Sequence, residues 1–220
     1  MAEYRAVVVG ATGAIGRELV KQLTESTRCT SVIALSRRAL DPSALAAAFP
    51  GATIAKIRVQ VVDYDHLQLA DVASHGANAA FCCLGTTRKD AGSDEAFRKV
   101  DLTYVENSAK LAKEADIQYF ALVSASNANA RSWFLYPKTK GLAEEAIKAL
   151  GFRRTCILQP GLLQRGDLTR YVERVGQWIL PSVSVTGVAK AMIRDYETNG
   201  ATAGLRIVSM REMQDLQSDN

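Results

Sequence analysis

Apolar runs rich in β-branched residues alternate along this chain with segments of helical periodicity. The apolar runs predict strands at Arg5–Val9, Ser31–Leu35, Ile54–Val62, Ala79–Leu84, Tyr119–Ser124, Thr155–Gln159 and Leu205–Ser209. The segments between them predict helices at Ile15–Glu25, Ser43–Ala48, Leu67–Ala73, Asp94–Glu114, Pro137–Leu150, Leu168–Leu180 and Thr186–Thr198. This alternation favours a parallel sheet with helices on both faces. We therefore predict an α/β fold built on a single doubly wound parallel sheet.

The length of 220 residues suits one domain. We expect residues 1–220 to form it, with 160–220 as a small substrate-side and C-terminal region, and the polar tail after Met210 to fray. A composition of 48% apolar and 23% charged residues is ordinary for a soluble globular protein. No apolar run is long enough to cross a bilayer, and the start does not resemble a secretory signal. The sequence thus predicts no membrane span and a cytoplasmic location, with a nuclear location also open.

The net charge of +4 suits an anionic ligand such as a phosphate. Lysines and arginines form no dense stripe with interleaved aromatic residues, so we expect no nucleic acid partner. The four cysteines include no C-x-x-C pair, and two histidines are too few for an obvious metal cluster. We therefore predict reduced, structural cysteines and no metal site.

A glycine-rich turn joins the first predicted strand to the first predicted helix. Gly10 would allow a tight exit from the strand, Gly13 would let the backbone approach a pyrophosphate, and Gly16 would let the helix pack against the sheet. The helix N-terminus would offer unpaired N–H groups and its positive dipole end to the phosphates. Glycines also mark ordinary loops. Here the flanking strand and helix favour a dinucleotide site of the Rossmann type.

The second predicted strand ends in Ser36, Arg37 and Arg38. Folds that bind dinucleotides often place an acidic residue there, ~20 residues past the glycines, where it binds the adenosine ribose 2′-hydroxyl. Two guanidinium groups suit a 2′-phosphate instead, since arginine forms bidentate bonds with phosphate oxygens. Solvated surface arginines are the alternative. We favour NADPH/NADP over NAD as the cofactor.

Two further strand ends carry candidate cofactor contacts. Asp63, after the third predicted strand, could accept a bond from the adenine amino group or could cap the following helix, a role for which Asp65 is better placed. Leu84 and Gly85, after the fourth, would lie at the carboxyl edge of the sheet, where Gly85 lets the backbone come close to a ligand. A plain turn is nearly as good an interpretation of the second site.

The sharpest catalytic signal is the pair Tyr136 and Lys140. Pro137 suits the first turn of a helix, which would place the pair four residues apart on one face. Beside a nicotinamide, the Lys140 ammonium would favour the phenolate of Tyr136, which could then exchange a proton with a carbonyl or an alcohol. Lys140 could also bind the nicotinamide ribose. Ser124 and Ser126, at the end of the preceding strand, are both candidates for the hydroxyl that holds the substrate oxygen.

Together these motifs resemble the short-chain dehydrogenase/reductase superfamily, in its atypical branch, and most of all the Tat-interacting protein 2 type oxidoreductases. The matching segments are GATGAIG at Gly10–Gly16, SRR at Ser36–Arg38, CCLGTTRKDAG at Cys82–Gly92, VDLTYV at Val100–Val105, NARSWFLYPKTKG at Asn129–Gly141 and LQPGLLQRG at Leu158–Gly166. The likeness spans nearly the whole chain, and CCLGTTR and the Tyr136 segment are more specific than the glycine loop.

The resemblance implies an NADPH-binding domain and a role for particular residues. It implies a phosphate loop of Thr12, Gly13, Ala14 and Ile15, the 2′-phosphate at Arg37 and Arg38, cofactor contacts at Leu84 and Gly85, a catalytic Tyr136 and Lys140, and Leu163 near the nicotinamide. The chain departs from the family pattern at Gln159, where an arginine is usual. It also offers Asp101 where conventional members often have an asparagine that relays protons.

Two functions follow from these features. The first is an NADPH-dependent oxidoreductase that acts on a small carbonyl or alcohol substrate. The alternative is an NADPH-sensing regulatory protein that binds a protein partner without significant turnover, because the region after Gln164 leaves little chain to close a substrate pocket. The apolar stripe of Leu168–Leu180 would cover the substrate, form an interface or, more commonly, belong to the core. A homodimer is open, since self-association is common in the superfamily.

Overall fold

The computed structural model describes residues 2–73, 76–164 and 182–218. The strands are β1 (Tyr4–Val9), β2 (Cys29–Ser36), β3 (Ile57–Val61), β4 (Ala79–Cys82), β5 (Tyr119–Val123), β6 (Arg154–Gln159), β7 (Leu162–Gln164), β8 (Ser182–Ser184) and β9 (Gly204–Ser209). The helices are α1 (Ala14–Glu25), α2 (Pro42–Ala48), α3 (Leu69–Ala73), α4 (Arg88–Ala91), α5 (Asp94–Arg98), α6 (Tyr104–Glu114), α7 (Leu135–Ala149), α8 (Val185–Asn199) and α9 (Met210–Ser218).

Seven strands form one parallel sheet in the order β3-β2-β1-β4-β5-β6-β9. The chain builds outward from β1 to β3, returns to the centre, and then builds outward in the other direction from β4. The order therefore reverses between β1 and β4, where Val9 pairs with Cys82. In open α/β sheets, ligands bind outside the carboxyl ends of the strands at such a reversal. The predicted Rossmann-like, doubly wound sheet is confirmed.

Side chains that alternate along the central strands create a separate core on each face of the sheet. Ala6 and Val8 of β1 point to the face covered by α1, α8 and α9, whereas Val7 and Val9 point to the face covered by α6 and α7. Helices therefore cover both faces, as predicted. Within the described ranges, no helix has both the length and the apolar character needed to cross a bilayer.

Several sequence-based boundaries need correction. Ile54–Lys56 is a 3-10 turn rather than the start of a strand. The tail expected to fray instead forms α9, because Met213 is fully buried against the core. The sequence missed a second, two-stranded parallel sheet of β7 and β8, whose strands have only three residues each. The helix predicted at Leu168–Leu180 lies outside the described residues.

The long helix predicted at Asp94–Glu114 is interrupted in the middle. A π-helical segment, Lys99–Thr103, joins α5 to α6. Buried residues recur at steps of four along this stretch, at Phe97, Asp101, Val105 and Ala109. In an α-helix of 3.6 residues per turn, each step of four drifts by about 40° around the axis. The wider π turn offsets that drift, so these residues share one buried face.

Candidate active site

A cleft of about 550 Å³ lies at the carboxyl ends of β1 and β4. Its lining comes from the loops that follow β1, β2, β3 and β4 and from the α5–α6 stretch. The lining residues are Gly10, Thr12, Gly13, Leu35, Ser36, Arg37, Tyr64, Cys83, Leu84, Gly85, Thr86, Asp90, Ala91, Ala96, Val100 and Tyr104. The cleft therefore occupies the position in the sheet where dinucleotide-binding folds hold their ligand.

The glycine loop forms one wall of this cleft. Gly10 has a φ of +77°, and a Cβ there would lie 2.8 Å from the backbone nitrogen of Leu84. Gly16 packs so closely on the strand exit that a Cβ would overlap the carbonyl oxygen of Gly10. The roles predicted for these two glycines, a tight turn and close helix packing, match this geometry.

The N-terminus of α1 points an uncapped set of N–H groups at the cleft. Gly13 is the N-cap residue, and among the described residues no side chain caps the helix and no acidic residue lies in its first turn. Thr12 and Gly13 line the cleft, whereas the Ile15 side chain is buried in the core. Only backbone at Gly13, Ala14 and Ile15 is therefore offered to an anion, as phosphate recognition by a helix N-terminus requires.

The turn after β2 sends one of the two predicted arginines to the cleft. The Ser36 hydroxyl is buried, donates to the Arg38 carbonyl at 2.8 Å and accepts the Arg38 N–H at 3.2 Å. This tight turn leaves Arg37 and Arg38 exposed, with Arg37 among the lining residues and Arg38 outside them. A 2′-phosphate at this rim would meet Arg37 first.

Asp63 is turned away from the cleft and Tyr64 takes the place expected for it. The Asp63 carboxylate accepts the Asp65 N–H at 2.9 Å and contacts the His66 ring at 2.9 Å. The His66 contact lowers the pKa of Asp63 and raises that of His66. Asp63 thus holds its own turn together rather than capping α3, which begins at Leu69, and Tyr64 lines the cleft.

Two stacked tyrosines form the rim on the same side. The Tyr64 and Tyr104 rings lie 5.4 Å apart between centroids, and the Tyr64 hydroxyl accepts the Gly10 N–H at 3.4 Å. Asp65 accepts the Tyr104 hydroxyl at 2.8 Å and pairs with Lys99 at 2.6 Å, and the Lys99 contact keeps the pKa of Asp65 low. Neither tyrosine is among the site residues predicted from the sequence, although an aromatic residue directly after a strand end is a usable signal.

The end of β4 supplies backbone rather than reactive thiols. Leu84, Gly85 and Cys83 all line the cleft. Burial raises the pKa of Cys82 to about 11 and that of Cys83 well above its usual value. Both cysteines therefore stay as neutral thiols, which agrees with a structural role.

Tyr136 and Lys140 lie on α7, on the far side of Gly85. Pro137 is in the first turn of this helix, which begins at Leu135. The Tyr136 side chain is partly exposed, with its ring 5.9 Å from that of Phe97. Lys140 is buried, and its ammonium lies 2.7 Å from the Asp101 carboxylate. The predicted catalytic pair is therefore split between an accessible phenol and a buried, paired amine.

The two candidate serines differ sharply in their surroundings. Ser124 is buried and donates to the Glu144 carboxylate at 2.6 Å. Gln159 donates to the same carboxylate oxygen at 2.9 Å, which gives the departure from the family arginine a structural role. Ser126 is exposed, and its backbone N–H donates to the Pro160 carbonyl at 2.9 Å. Only the Ser126 hydroxyl is therefore exposed to an incoming molecule.

The loop that follows Ser126 packs directly against α7 through backbone contacts. A Cβ on Gly141 would overlap the backbone of Asn129 and Ala130. The Asn129 N–H also donates to the Pro137 carbonyl at 2.9 Å. Of the remaining predicted residues, Leu163 lies in β7, but its side chain is outside the described part of the structure.

A protein-family model described as NAD(P)H-binding matches residues 10–196. The chain belongs to this NAD(P)H-binding family. Among relatives, Protein HTATIP2 from Rattus norvegicus is 32% identical over 208 residues, covering 88% of this chain and 81% of that protein. Protein FMP52, mitochondrial, from Debaryomyces hansenii is 39% identical over 162 residues, covering 72% of this chain and 66% of that protein. The resemblance drawn from the sequence motifs is confirmed.

Solved structures show that this member of the NAD(P)H-binding family shares a widespread fold. MoeE5 in complex with UDP-glucuronic acid and NAD has a TM-score of 0.73 at 18% identity, covering 94% of this chain and 76% of that one. An oxidoreductase of the short-chain dehydrogenase/reductase family from Burkholderia thailandensis has a TM-score of 0.72 at 21% identity, covering 97% and 94%. The chain therefore has an oxidoreductase-type NAD(P)-binding fold.

The family comparison also corrects the expected location. Several fungal members are named mitochondrial, among them the FMP52 proteins of Debaryomyces hansenii and Candida albicans. The prediction of a cytoplasmic or nuclear location is wrong on this finding. It was based on the lack of a secretory-type apolar segment, and that feature does not separate cytosolic from mitochondrial proteins.

Proposed function

We propose that this protein is an NADPH-dependent oxidoreductase of the short-chain dehydrogenase/reductase type that acts on a small carbonyl or alcohol substrate. One observation carries the proposal. The cleft that begins at the open N-terminus of α1 ends at Gly85, where a Cβ would lie 3.6 Å from the Lys140 ammonium. A phosphate-binding end and a cationic end therefore lie along the same cleft, which suits an elongated dinucleotide.

The glycine loop fits the cofactor's phosphates. The close approach of Gly10 and Gly16 leaves room for backbone alone, and the α1 N-terminus presents N–H groups with no competing acidic side chain in its first turn. Arg37 at the rim supports a 2′-phosphate, since its guanidinium can donate two parallel bonds to phosphate oxygens. Tyr64 and Tyr104 offer aromatic surface to the adenine end.

Bound NADPH would supply a hydride, and this chain would supply the proton and the orientation. Tyr136 donates its phenolic proton to the carbonyl oxygen as that oxygen gains negative charge, so that carbonyl, hydride and proton together give the alcohol. The Lys140 ammonium stabilises the phenolate that remains. Ser126 donates a hydrogen bond to the same substrate oxygen, because the Ser124 hydroxyl is already engaged by Glu144.

The first test is a side-by-side titration with NADPH and NADH, followed by nucleotide fluorescence. The variant Arg37→Ala/Arg38→Ala should weaken NADPH binding by roughly tenfold to a hundredfold, as for the loss of charged hydrogen bonds, and should leave NADH binding nearly unchanged. Arg58→Ala/Arg211→Ala is the matched control, because it removes the same charge from exposed positions on β3 and α9. Equal affinity of the native protein for both nucleotides would refute the NADPH assignment.

A panel of small aldehydes, ketones and quinones then tests the chemistry through NADPH consumption. Turnover of any member by the native protein supports the proposal. Binding of NADPH with no turnover across the panel would favour the second candidate, a regulatory protein whose partner binding depends on the cofactor.

One observation favours that second candidate. Trp133 and Phe134, directly before α7, have exposed fractions of 99% and 76%. Adjacent exposed aromatic side chains are enriched at protein interfaces. A pulldown with NADPH, with NADP and with neither, repeated with Trp133→Ser/Phe134→Ser, tests it. The same partners in all three states would remove this candidate.

We further propose a mitochondrial location from the names of the fungal relatives, which subcellular fractionation can check. We also propose that the C-terminal region completes the same domain, since β9 pairs with β6 in the main sheet.

A further inference from the structure

We propose that Asp101 is the positioning residue that fixes Lys140 against the cleft. The inference deepens the proposed function and rests on it for the chemistry that Lys140 serves. The Asp101 side chain is fully buried, and one of its carboxylate oxygens lies 2.7 Å from the Lys140 Nζ. The other accepts the Thr86 N–H at 2.8 Å. A single carboxylate thus ties Lys140 to the backbone of the loop that follows β4.

This arrangement brings three chain segments to one point of the cleft. Lys140 comes from α7, Asp101 from the π-helical segment, and Thr86 from the β4–α4 loop. Gly85 lies against the pair, with a hypothetical Cβ 3.6 Å from both the Asp101 carboxylate and the Lys140 ammonium. Any larger residue at 85 would come between this pair and the cleft. The absence of a side chain there lets the paired ammonium reach a bound molecule.

The π-helical segment between α5 and α6 carries Asp101. Phe97, Asp101 and Val105 are all buried, and the wider π turn keeps them closely in line along one face. Single π turns inside helices are rare and are often found at functional sites. Here the segment places a charged residue in the interior, where an unpaired carboxylate would be strongly unfavourable. Lys140 is the cation that balances it.

The ion pair between Asp101 and Lys140 does not occupy all of the N–H donors of the lysine ammonium. A lysine ammonium has three donors, and a single close carboxylate oxygen leaves capacity for others. That is the state required of an amine that must also stabilise a neighbouring phenolate. Asp101 therefore fixes the position of Lys140 without using all of its hydrogen-bonding capacity.

The test compares Asp101→Asn with Glu106→Gln in the full-length protein. Asparagine keeps an oxygen for the Thr86 N–H but removes the charge that holds Lys140. Glu106 pairs with Lys110 at 2.7 Å on the exposed side of α6, so Glu106→Gln makes the same chemical change away from the cleft. Acetylation of lysines by acetic anhydride is followed by peptide mass spectrometry, with the exposed Lys138 as the internal standard.

We expect Asp101→Asn to raise Lys140 acetylation several-fold relative to Lys138, and Glu106→Gln to leave the ratio unchanged. We also expect kcat to fall about tenfold to a hundredfold, the range seen when the partner of a ligating side chain is lost, with the Kd for NADPH little changed. General loosening of the fold would instead weaken NADPH binding along with kcat.

An unchanged Lys140 ratio in a folded Asp101→Asn variant would overturn the proposal, and so would a parallel loss of kcat and NADPH affinity. The labelling needs no turnover. If the native protein reduces no carbonyl compound, the proposed function fails, while the Lys140 ratio still decides whether Asp101 positions the amine. Urea unfolding of both variants checks that each is folded under the labelling conditions.

Discussion

Two clefts of similar volume in this structure differ in how far their charged groups are already engaged in hydrogen bonds and ion pairs. The cleft at the β1–β4 edge has a volume of about 550 Å³, and a second cleft between α8, β9 and α9 has about 470 Å³. In the second, the Asp195 carboxylate accepts from the Arg154 guanidinium and from the Tyr119 hydroxyl. Glu212 accepts from the Arg206 side chain and the Ser209 N–H.

At each end of the first cleft, by contrast, polar groups still have hydrogen-bonding capacity. Among the described residues, no side chain caps the N-terminus of α1 and a single carboxylate oxygen lies close to Lys140. Volume therefore does not distinguish a binding site from a packing gap. Hydrogen-bonding capacity that still faces the space does, because a ligand gains most from groups that are already oriented and only partly satisfied.

The strongest test of this contrast removes the hydroxyl of Tyr136, the proposed general acid, and that of Tyr119, which contacts Asp195 of the second cleft. Tyr136→Phe should lower kcat for carbonyl reduction about 10²–10⁴-fold, as for loss of a general acid, and leave the Kd for NADPH unchanged. Tyr119→Phe removes a buried hydroxyl that donates to Asp195 at 3.1 Å. It should lower the free energy of unfolding without changing kcat. Steady-state kinetics on both variants decide the matter, and equal kcat values for the two would break the contrast.

Asp195→Asn should lower the free energy of unfolding by about 3–5 kcal/mol, because it leaves the buried Arg154 guanidinium without its partner. Urea denaturation measures the effect. NADPH affinity of the folded variant should match that of the native protein. A loss of affinity as large as the loss of stability would show that the second cleft is coupled to the first.

Gly13→Ala should weaken NADPH binding by roughly tenfold, equivalent to about 1.4 kcal/mol and within the range of about 1–3 kcal/mol that overpacking costs. The added methyl would stand where a phosphate approaches, yet its nearest neighbour, the Gly10 carbonyl oxygen, would be 3.4 Å away. Stability should therefore change little. Calorimetric titration beside thermal unfolding separates the two quantities, and a fall in Tm with unchanged affinity would contradict the assignment of the phosphate loop.

The smallest expected effect concerns Glu212, which lines the second cleft. Hydrogen bonds from Ser209 hold the pKa of Glu212 below its usual value. A carboxyl group with a lowered folded-state pKa stabilises the protein above its unfolded pKa of about 4.3, and that contribution is lost as the pH falls through the folded value. Glu212→Gln should cost about 0.5 kcal/mol at pH 7, the low end for a capping group because this side chain is half exposed.

Unfolding at pH 7 and again below pH 3 checks the sign. The native protein and Glu212→Gln should differ at the higher pH and converge at the lower one. A difference that persists in acid would assign the effect to packing rather than charge.

Patterns confined to one turn or one helix could be predicted from the sequence. Gly10, Gly13 and Gly16 have the spacing of a strand–turn–helix unit, and the structure forms that unit. Tyr136 and Lys140 are four residues apart, so a helix alone places them on one face. Such local patterns can be interpreted without knowing which distant residues are in contact.

Contacts that depend on a register of one or two residues could not be predicted. Asp63 and Tyr64 are adjacent after β3, and a shift of one residue decides which faces the cleft. Ser124 and Ser126 share one side of an extended chain, so alternation does not separate them. Only Glu144, twenty residues away, shows which serine is engaged. The partner of Asp101 is Lys140, on a different helix 39 residues later, which no local pattern reveals.

The reversal in strand order has a consequence for protein synthesis. Val9 and Cys82 are partners on adjacent strands beside the cleft but are 73 residues apart in the chain. A nascent chain that has emerged only through β3 has a glycine loop with no opposite wall, and α7 brings Lys140 still later. Because a domain generally folds as a unit, the site proposed for NADPH is complete only in chains that have emerged beyond α7, which ends at Ala149. NADPH would then act as a late checkpoint in biogenesis rather than as an early folding template.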